Sequence, residues 1–329
     1  MLQPKRLISL LLALVLVSSL LPAAAFAQDT CAHDWEWDED EGPFDQTCAL
    51  CGEEQTLDKI TGPYEGSPVY WTLTPDGTMT VSGEGEFHED YFYGDDLPEG
   101  QLCWEPYAPY ITTLVVEEGI TYFYGTPDLT GLTAAHFPAS LEDISASKVL
   151  RGSLTLTTVT VAVDNLRYCT VDNVLFDREN NVLLFYPRGK TDSSYTVHGC
   201  SIGSYAFYNN SYLESLVVEE GAVSLAGNAI SRCENLTELS LPASLEEVWA
   251  SAIPDSVETI YYAGSETMWN RVYLHPDNDL SGVEMVFGMP KSDILPQWKN
   301  AHTLLQLKGE AEDAALVVVS FYHSDGHLV

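Results

Sequence analysis

Four residues near the start of the chain have the types and the spacing of a metal site. Cys31 and His33 are separated by one residue, and Cys48 and Cys51 follow after a gap of fourteen. Thiolates and imidazoles are the ligands that a structural Zn²⁺ prefers, in a closed tetrahedral set. The segment 48–52 also resembles a zinc-knuckle turn, in which a glycine lets backbone amides face the sulfurs. All four ligands would come from the protein, so the predicted zinc is structural, and no other cofactor is expected.

The same cysteines have an alternative fate, because an oxidising compartment pairs thiols into disulfides without any metal. Residues 28–60 are too few and too acidic to bury a core of their own, so they need a staple of either kind. The sequence favours zinc and leaves the disulfide open. Cys103 and Cys169 lack metal spacing, while Cys200 and Cys233 fall in repeat turns where small side chains pack and are predicted to be buried thiols.

A third pattern concerns catalysis. The pentapeptide G-C-S-I-G at 199–203 matches the G-x-S-x-G nucleophile elbow. An elbow joins a strand to a helix in an α/β sheet, whereas this pentapeptide lies in the turn of a short repeat, so the match is predicted to be accidental. The sequence contains no HExxH, phosphate loop or dinucleotide fingerprint. We therefore predict a non-catalytic protein, since a glycan hydrolase would have only the abundance of carboxylates in its favour.

The first residues and the overall charge indicate where the protein works. Residues 1–27 combine Lys5 and Arg6, an apolar run and a small-residue cleavage site, which is the pattern of a secretory signal peptide. No later segment is long and apolar enough to span a membrane. The chain has 14 basic and 49 acidic residues, a net charge of −35, which disfavours nucleic acid and anionic membranes as partners. A secreted or cell-surface protein is expected.

The organisation of the chain follows from an internal repeat. Seven six-residue segments fit the pattern apolar-x-x-apolar-x-apolar, one of them degenerately, and they start at 111, 132, 156, 192, 213, 236 and 257. Apart from one step of 36, the steps of 21 to 24 residues are a leucine-rich-repeat period. Alternate side chains of a strand point opposite ways, so each repeat buries its fourth and sixth positions only by stacking on its neighbours. The predicted fold is mainly β: a leucine-rich-repeat solenoid with irregular turns, a continuous core and a parallel ladder of short strands.

The remaining segments complete the predicted domain plan. Residues 61–110 should form an N-terminal β cap and a connection, with a cap hairpin at 70–73 and 78–81 around a Pro-Asp-Gly turn. The solenoid should occupy 111–288, with a hairpin inserted at about 170–190 in the long step. The tail, 289–329, contains one predicted strand at 315–322 and is expected to begin a further β domain.

The outward positions of the strands are the candidate binding surface. The third and fifth positions of successive repeats should form two adjacent columns, and solenoids commonly use such an extended, rigid surface for ligands. The alternative is a plain solvated sheet, because threonine is simply a good strand former. The candidate ligand-binding residues are Thr113, His136, Thr158, Thr160, Thr196, Ser215, Glu238, Ser240 and Tyr261.

Several short sequences in the repeats match a known family. They are SIGSYAF at 201–207, CENL at 233–236, LPASL at 241–245, IYYAGS at 260–265 and WN at 269–270. Through them, residues 62–287 resemble the BspA-like leucine-rich-repeat surface proteins of bacteria. The resemblance implies an exported, non-catalytic adhesion or binding module for a protein or glycan on a host or microbial surface. A structural spacer or targeting arm of a longer surface enzyme is the alternative.

Overall fold

The structure, a computed structural model, describes residues 32–38, 42–62, 68–87, 105–124 and 129–288. The chain divides into a unit Met1–Pro290, which holds all of these residues, and a unit Lys291–Val329. The predicted signal peptide, Cys31, Cys103 and the predicted strand at 315–322 lie outside the described residues. Among the described residues, no helix has the length and apolar character needed to cross a membrane.

The elements are almost all short strands. The N-terminal part contains β1 (Trp35–Glu36), β2 (Asp45–Cys48), β3 (Glu54–Thr56), β4 (Ile60–Gly62), β5 (Val69–Leu73), β6 (Thr78–Gly83) and β7 (Gly85–Phe87). After a 3-10 helix at Glu105–Tyr110 come β8 (Thr113–Val116), β9 (Ile120–Phe123), β10 (Ala134–Phe137), β11 (Asp143–Ile144), α1 (Ala146–Val149) and β12 (Thr158–Val161). The long step holds β13 (Tyr168–Val171), β14 (Val174–Asp177) and β15 (Val182–Phe185). The last part comprises β16 (Ser194–Val197), β17 (Ser201–Ile202), β18 (Ser215–Val218), β19 (Ser224–Leu225), β20 (Glu238–Leu241), β21 (Glu247–Val248), β22 (Thr259–Tyr262), α2 (Glu266–Trp269), β23 (Tyr273–Leu274) and β24 (Glu284–Phe287).

The predicted repeat strands are confirmed. Each of the seven segments contributes a four-residue strand that starts at its third position. Neighbouring repeats pair in parallel without a register shift, except across the long step. The fourth and sixth positions, predicted to face inward, are each buried in six of the seven segments, as Leu216 and Val218 show. The exceptions are Tyr195 at the fourth position and Val161 at the sixth, which are half-buried. An eighth strand, β24, pairs with β22 and extends the array. The pattern missed it because Gly282 stands where the first apolar residue is expected.

A second set of strands was not predicted, apart from β15. β7, β9 and β11 form one parallel ladder, and the run from β15 through β17, β19 and β21 to β23 forms another. We call these strands the back ladder and the repeat strands the front ladder. Buried residues of both, such as Leu114 and Phe123, pack in one core. Five of these strands have only two residues, which is too short for a period-2 pattern, so the sequence showed them only as turns.

The insertion divides the solenoid into two halves. The predicted hairpin is confirmed as β14 and β15, and β13 adds a third antiparallel strand. The expected continuous core is divided into two. The front strands likewise form one sheet in the order β12-β10-β8-β6-β5-β4 and another in the order β16-β18-β20-β22-β24. β15 joins the back ladder beside β17, so the long step separates β12 from β16. The buried residues accordingly fall into two clusters, one for each half.

The N-terminal segments cover the first half. The predicted cap hairpin is confirmed as β5 and β6, and β6 pairs in parallel with β8, so that Thr78 lies opposite Thr113. β1, β2 and β3 form a separate antiparallel sheet, which we call the ribbon. Its side chains Trp37, Phe44 and Leu57 pack against the first core. Docking on the solenoid therefore gives the ribbon apolar contacts that its own short strands cannot supply.

Successive repeats are also joined by a polar clamp that occurs twice. The Glu118 carboxylate accepts hydrogen bonds from the amides of Ala139 and Ser140, at 2.7 and 3.0 Å. The Ser140 hydroxyl donates to the carbonyl of Ile120 at 2.9 Å and accepts from the Gly119 amide at 2.9 Å. In the second half, Glu220 and Ser244 make the matching four bonds at 2.6 to 3.1 Å. The Glu-Glu-Gly and Pro-Ala-Ser-Leu turns thus satisfy each other's backbone groups across the repeat boundary.

Candidate binding face and metal-ligand cluster

The front ladder places the candidate binding residues in two columns, as strand geometry requires. In the first half, Thr113, Ala134 and Thr158 share one column, and Val115, His136 and Thr160 share the other. All six are half-buried. His136 and Thr160 face each other across the ladder, with 2.7 Å between Nδ1 and Oγ1. This part of the face offers hydroxyls and one imidazole held in a fixed geometry.

The second half has a more acidic face. Its third-position column runs from Ser194 through Ser215, Glu238 and Thr259 to Glu284, which the sequence analysis did not include. Its fifth-position column contains Thr196, Val217, Ser240, Tyr261 and Val286. Ser240 differs from the others because it is only 5% exposed, between the larger Val217 and Tyr261 in the register. Its hydroxyl is therefore poorly placed to meet a partner.

The two pairs of columns do not join, because the front ladder is interrupted between β12 and β16. The face thus consists of two separate surfaces. The register also adds Thr78 and Thr80 of the cap to the first surface. The cap hairpin was visible in the sequence, but its parallel pairing with the first repeat was not.

Three of the four predicted metal ligands lie together in the ribbon. The ligand atoms of His33, Cys48 and Cys51 all lie within 4.8 Å of one another. Nδ1 of His33 is 3.5 Å from Sγ of Cys51. In a tetrahedral zinc site with Zn–S of about 2.3 Å and Zn–N of about 2.0–2.1 Å, such an edge measures about 3.6 Å. The fourth predicted ligand, Cys31, lies outside the described residues.

The local backbone favours a negatively charged sulfur at Cys48. Gly52 has a φ of +71° and closes the turn, with its amide donating to the Cys48 carbonyl at 2.8 Å. Burial of the Cys48 thiol raises its pKa, but hydrogen bonds from the amides of Asp34, Cys51 and Leu50 outweigh this and lower the pKa to about 6. This is the arrangement that the knuckle resemblance implies.

The imidazole of His33 has partners on both sides. It stacks on Trp35 with ring centroids 4.9 Å apart, and its Nε2 lies 3.6 Å from the Glu53 carboxylate. Histidines that bind metals usually direct the second ring nitrogen to a carboxylate or carbonyl. The surroundings of His33 thus fit a ligand that uses Nδ1.

Ser201 of the G-x-S-x-G match has no elbow geometry. It belongs to β17 in the parallel back ladder and is 5% exposed. Its hydroxyl oxygen accepts from the amides of Val223 and Ser224, each at 3.1 Å. These contacts give Ser201 a structural role between two repeats.

The repeat-turn cysteines are buried thiols, as predicted. Cys200 and Cys233 are unbridged and at most 4% exposed. Burial raises the pKa of Cys200 to about 11 and that of Cys233 to about 12. The Cys233 thiol donates to the Phe207 carbonyl at 3.0 Å. Both therefore pack as small, protonated side chains.

Comparison with known proteins gives matches among solved structures alone, since no family model and no curated protein sequence matches the chain. A leucine-rich cell-surface protein from Faecalibacterium prausnitzii is 14% identical with a TM-score of 0.33, over 66% of this chain and 98% of that one. A leucine-rich-repeat protein from Eubacterium ventriosum is 14% identical with a TM-score of 0.29, over 73% and 97%. The pneumococcal vaccine antigen PcpA is 16% identical with a TM-score of 0.32, over 54% of this chain and 62% of its own length. The solenoid itself is established by the ladders described above.

Proposed function

We propose that the protein is an exported, non-catalytic binding module that presents the front columns to a protein or glycan on a host or microbial surface. The observation that carries this proposal is the in-register array of hydroxyls, with Thr78, Thr113 and Thr158 on one surface. Parallel pairing without register shifts fixes their spacing, so binding would order few side chains. The resemblance to BspA-like surface proteins supports the same function, and the strongly negative charge suits a soluble extracellular protein.

The test is a binding screen with a matched pair of variants. Mature protein is applied to a glycan array and to immobilised extracellular-matrix proteins, beside the front variant Thr113→Arg/Thr158→Arg. The control variant Glu142→Arg/Glu246→Arg places the same residues in exposed turns away from the front columns. It changes the net charge by more than the front variant does. We expect the front variant to lose signals that the control keeps. Binding that both variants retain equally, or no binding by the wild type, would refute the proposal.

We also propose that Cys31, His33, Cys48 and Cys51 hold a structural zinc that fixes the ribbon. The support is the cluster of three ligand atoms, the tetrahedral edge between His33 and Cys51, and the carboxylate behind His33. Purification without chelator followed by metal analysis should give about one zinc per chain. Cys48→Ser/Cys51→Ser should abolish it, whereas Cys169→Ser, outside the cluster, should not. A metal-free protein in which mass mapping finds Cys31, Cys48 or Cys51 in disulfides would establish the alternative staple.

A further inference from the structure

A cavity of about 810 Å³ lies where the two halves of the solenoid meet. Its basic residues come from three parts of the chain: Arg151 precedes the insertion, Arg188 ends it, and Arg232 belongs to the second half. Tyr205 and Tyr208 complete this end of the cavity. None of these residues belongs to the front columns, so the cavity is independent of the proposed binding face.

The three guanidinium groups surround one aromatic ring. Their central carbons lie 5.9 Å (Arg151), 5.1 Å (Arg188) and 5.4 Å (Arg232) from the centroid of Tyr208. Arg151 also lies 5.0 Å from the centroid of Tyr205. Cation–π attraction holds each group, but the cations repel one another. The cluster is therefore a concentrated positive charge on an aromatic support.

The cluster is unusual in a chain of this composition. It uses three of only 14 basic residues in a protein with a net charge of −35. Arg151 and Arg232 are exposed, and within the described part of the chain no carboxylate lies within 4.0 Å of either. Arg188 is 7% exposed, and its Nε donates to the Tyr208 carbonyl at 2.8 Å. The guanidinium groups of Arg151 and Arg232 are therefore suited to a carboxylate, sulfate or phosphate supplied by a ligand.

The turns that form the cavity place Tyr205 and Arg232 at a conformational cost. Tyr205, Asn228 and Ser251 occupy equivalent turn positions with φ of 60°, 58° and 51°, and Asn209 and Arg232 form a second equivalent pair at 59° and 60°. Asparagine tolerates this left-handed region, whereas larger side chains rarely adopt it. The repeat explains the turn itself. The turn alone does not require a tyrosine or an arginine at these positions.

The remainder of the lining indicates a sugar. Asn209, Asn228, Ser231 and Ser251 offer amides and hydroxyls, and aliphatic side chains are few. Two carboxylates, Asp255 and Asp277, also line the cavity, and Asp277 lies 3.6 Å from His275. The volume falls within the range of about 300–1,000 Å³ for small-ligand sites and far exceeds a bare inorganic anion. Hydroxyl groups of a saccharide would satisfy these amides and carboxylates while its acidic group meets the arginines.

We propose that this junction cavity binds an acidic saccharide, with Arg151 and Arg232 pairing its carboxylate or sulfate group across the ring of Tyr208. The protein would then recognise an acidic glycan at the insertion, whatever partner the front columns bind. The insertion thus contributes to this site, because its last residues place Arg188 beside the turns that carry Arg151 and Arg232.

Calorimetric titration of the full chain at low ionic strength tests the proposal. The probes are a sulfated heparin hexasaccharide, a carboxylated oligogalacturonate, a neutral chitohexaose, a poly-glutamate peptide and sodium sulfate. We expect at least one acidic saccharide to bind and chitohexaose not to bind, and the two acidic probes distinguish sulfate from carboxylate recognition. Arg151→Gln/Arg232→Gln should weaken binding by about tenfold or more, with a smaller salt dependence. Arg232→Lys, which keeps the charge but loses the planar fork, should weaken binding less.

The control is Arg271→Gln, an exposed arginine outside the cavity, which should leave binding unchanged. Equal weakening by Arg271→Gln would mean unspecific attraction and overturn the proposal. So would tighter binding of poly-glutamate, which would mark an acidic-peptide site, or equal binding of sulfate alone. If neither acidic saccharide bound the folded wild-type protein, the proposal would also be overturned. The proposed binding by the front columns would not be affected by that result.

Discussion

The two halves of the solenoid use the same repeat but are completed differently. The first half builds its core with large aromatic side chains, among them Trp71, Phe87 and Phe123, and carries the cap and the ribbon. The second half is more regular and packs mainly leucine, valine, isoleucine and alanine, with Cys200 and Cys233, around Phe207. Its front ladder has five strands, from β16 to β24, and its back ladder has five when β15 is included. The repeat therefore determines the strand pairing. The types of side chain in each core depend on what the half adjoins: the cap and the ribbon, or the insertion.

The clamp shows what the halves share. Glu118 with Ser140 and Glu220 with Ser244 make the same bonds, although one pair lies under the cap and the other lies beyond the insertion. Local sequence is sufficient to reproduce this geometry in both settings. The same substitution made at matching positions in the two halves can therefore separate the effect of the local sequence on stability from the effect of the surrounding structure.

The largest expected effect comes from truncating one core at a time. Phe123→Ala and Phe207→Ala each remove a ring that is at most 1% exposed and should cost about 3–5 kcal/mol. Because solenoid repeats interact mainly with their neighbours, each change should reduce amide protection chiefly in its own half. Hydrogen exchange read by mass spectrometry measures this. Equal loss of protection throughout both halves would show that the insertion does not separate them.

The clamp glycines should give the next largest effect. Gly119 and Gly221 have φ of +103° and +105°, and an added Cβ would lie 2.4 Å from the Gly83 carbonyl oxygen and 2.9 Å from the Gly199 carbonyl oxygen. Alanine should cost about 1–3 kcal/mol at each site, more at Gly119. Urea denaturation measures the difference. Gly282→Ala, where nothing lies within 4 Å of the new Cβ, is the control and should be nearly neutral.

The clamp carboxylates should have a smaller, pH-dependent effect. Hydrogen bonds from the Ala139 and Ser140 amides exceed the opposing effect of burial and lower the pKa of Glu118 from 4.5. Its stabilisation is therefore present above the unfolded-state pKa and is lost as the pH falls through the lower folded pKa. Glu118→Gln should cost no more than about 0.5 kcal/mol at pH 7, since the carboxylate is exposed and solvent screens its interactions. The difference from wild type should shrink in acid. If the difference in the free energy of unfolding between Glu118→Gln and wild type were the same at pH 3 as at pH 7, this explanation would be excluded. Glu220→Gln measures how much the second clamp contributes to stability.

The smallest effect is expected on the front columns. Thr158→Ala and Thr259→Ala replace half-buried side chains at matching column positions, one in each half. Each should change the free energy of unfolding by no more than about 0.5 kcal/mol in thermal melts. A larger loss in either half would show that its column serves stability and weaken the case for a binding face there.

The sequence predicted what depends on alternation and repetition. The front strands, the buried row of Leu213, Leu216 and Val218 and both hairpins follow from period-2 patterns and turn residues. Most of the back ladder did not, because five of its strands have only two residues and show no period. The break between the halves depends on the pairing of β15 with β17, which is determined by tertiary contacts and not by the local sequence. The arginine cavity joins Arg151 and Arg232, 81 positions apart (232 − 151), so no local spacing could reveal it.

The in-register front ladder also has a metric consequence. Each column carries one side chain per strand, and neighbouring strands are about 4.8 Å apart. A ligand with a regular repeat can place each repeating unit on a column residue only if its repeat length is a whole multiple of this distance. The first surface offers four parallel rungs, from β6 to β12, and the second offers five, from β16 to β24. Because the insertion separates the two surfaces, a polymer with a regular repeat must match the strand spacing on each surface independently. A polymer without a regular repeat gains no additional contacts from the further strands.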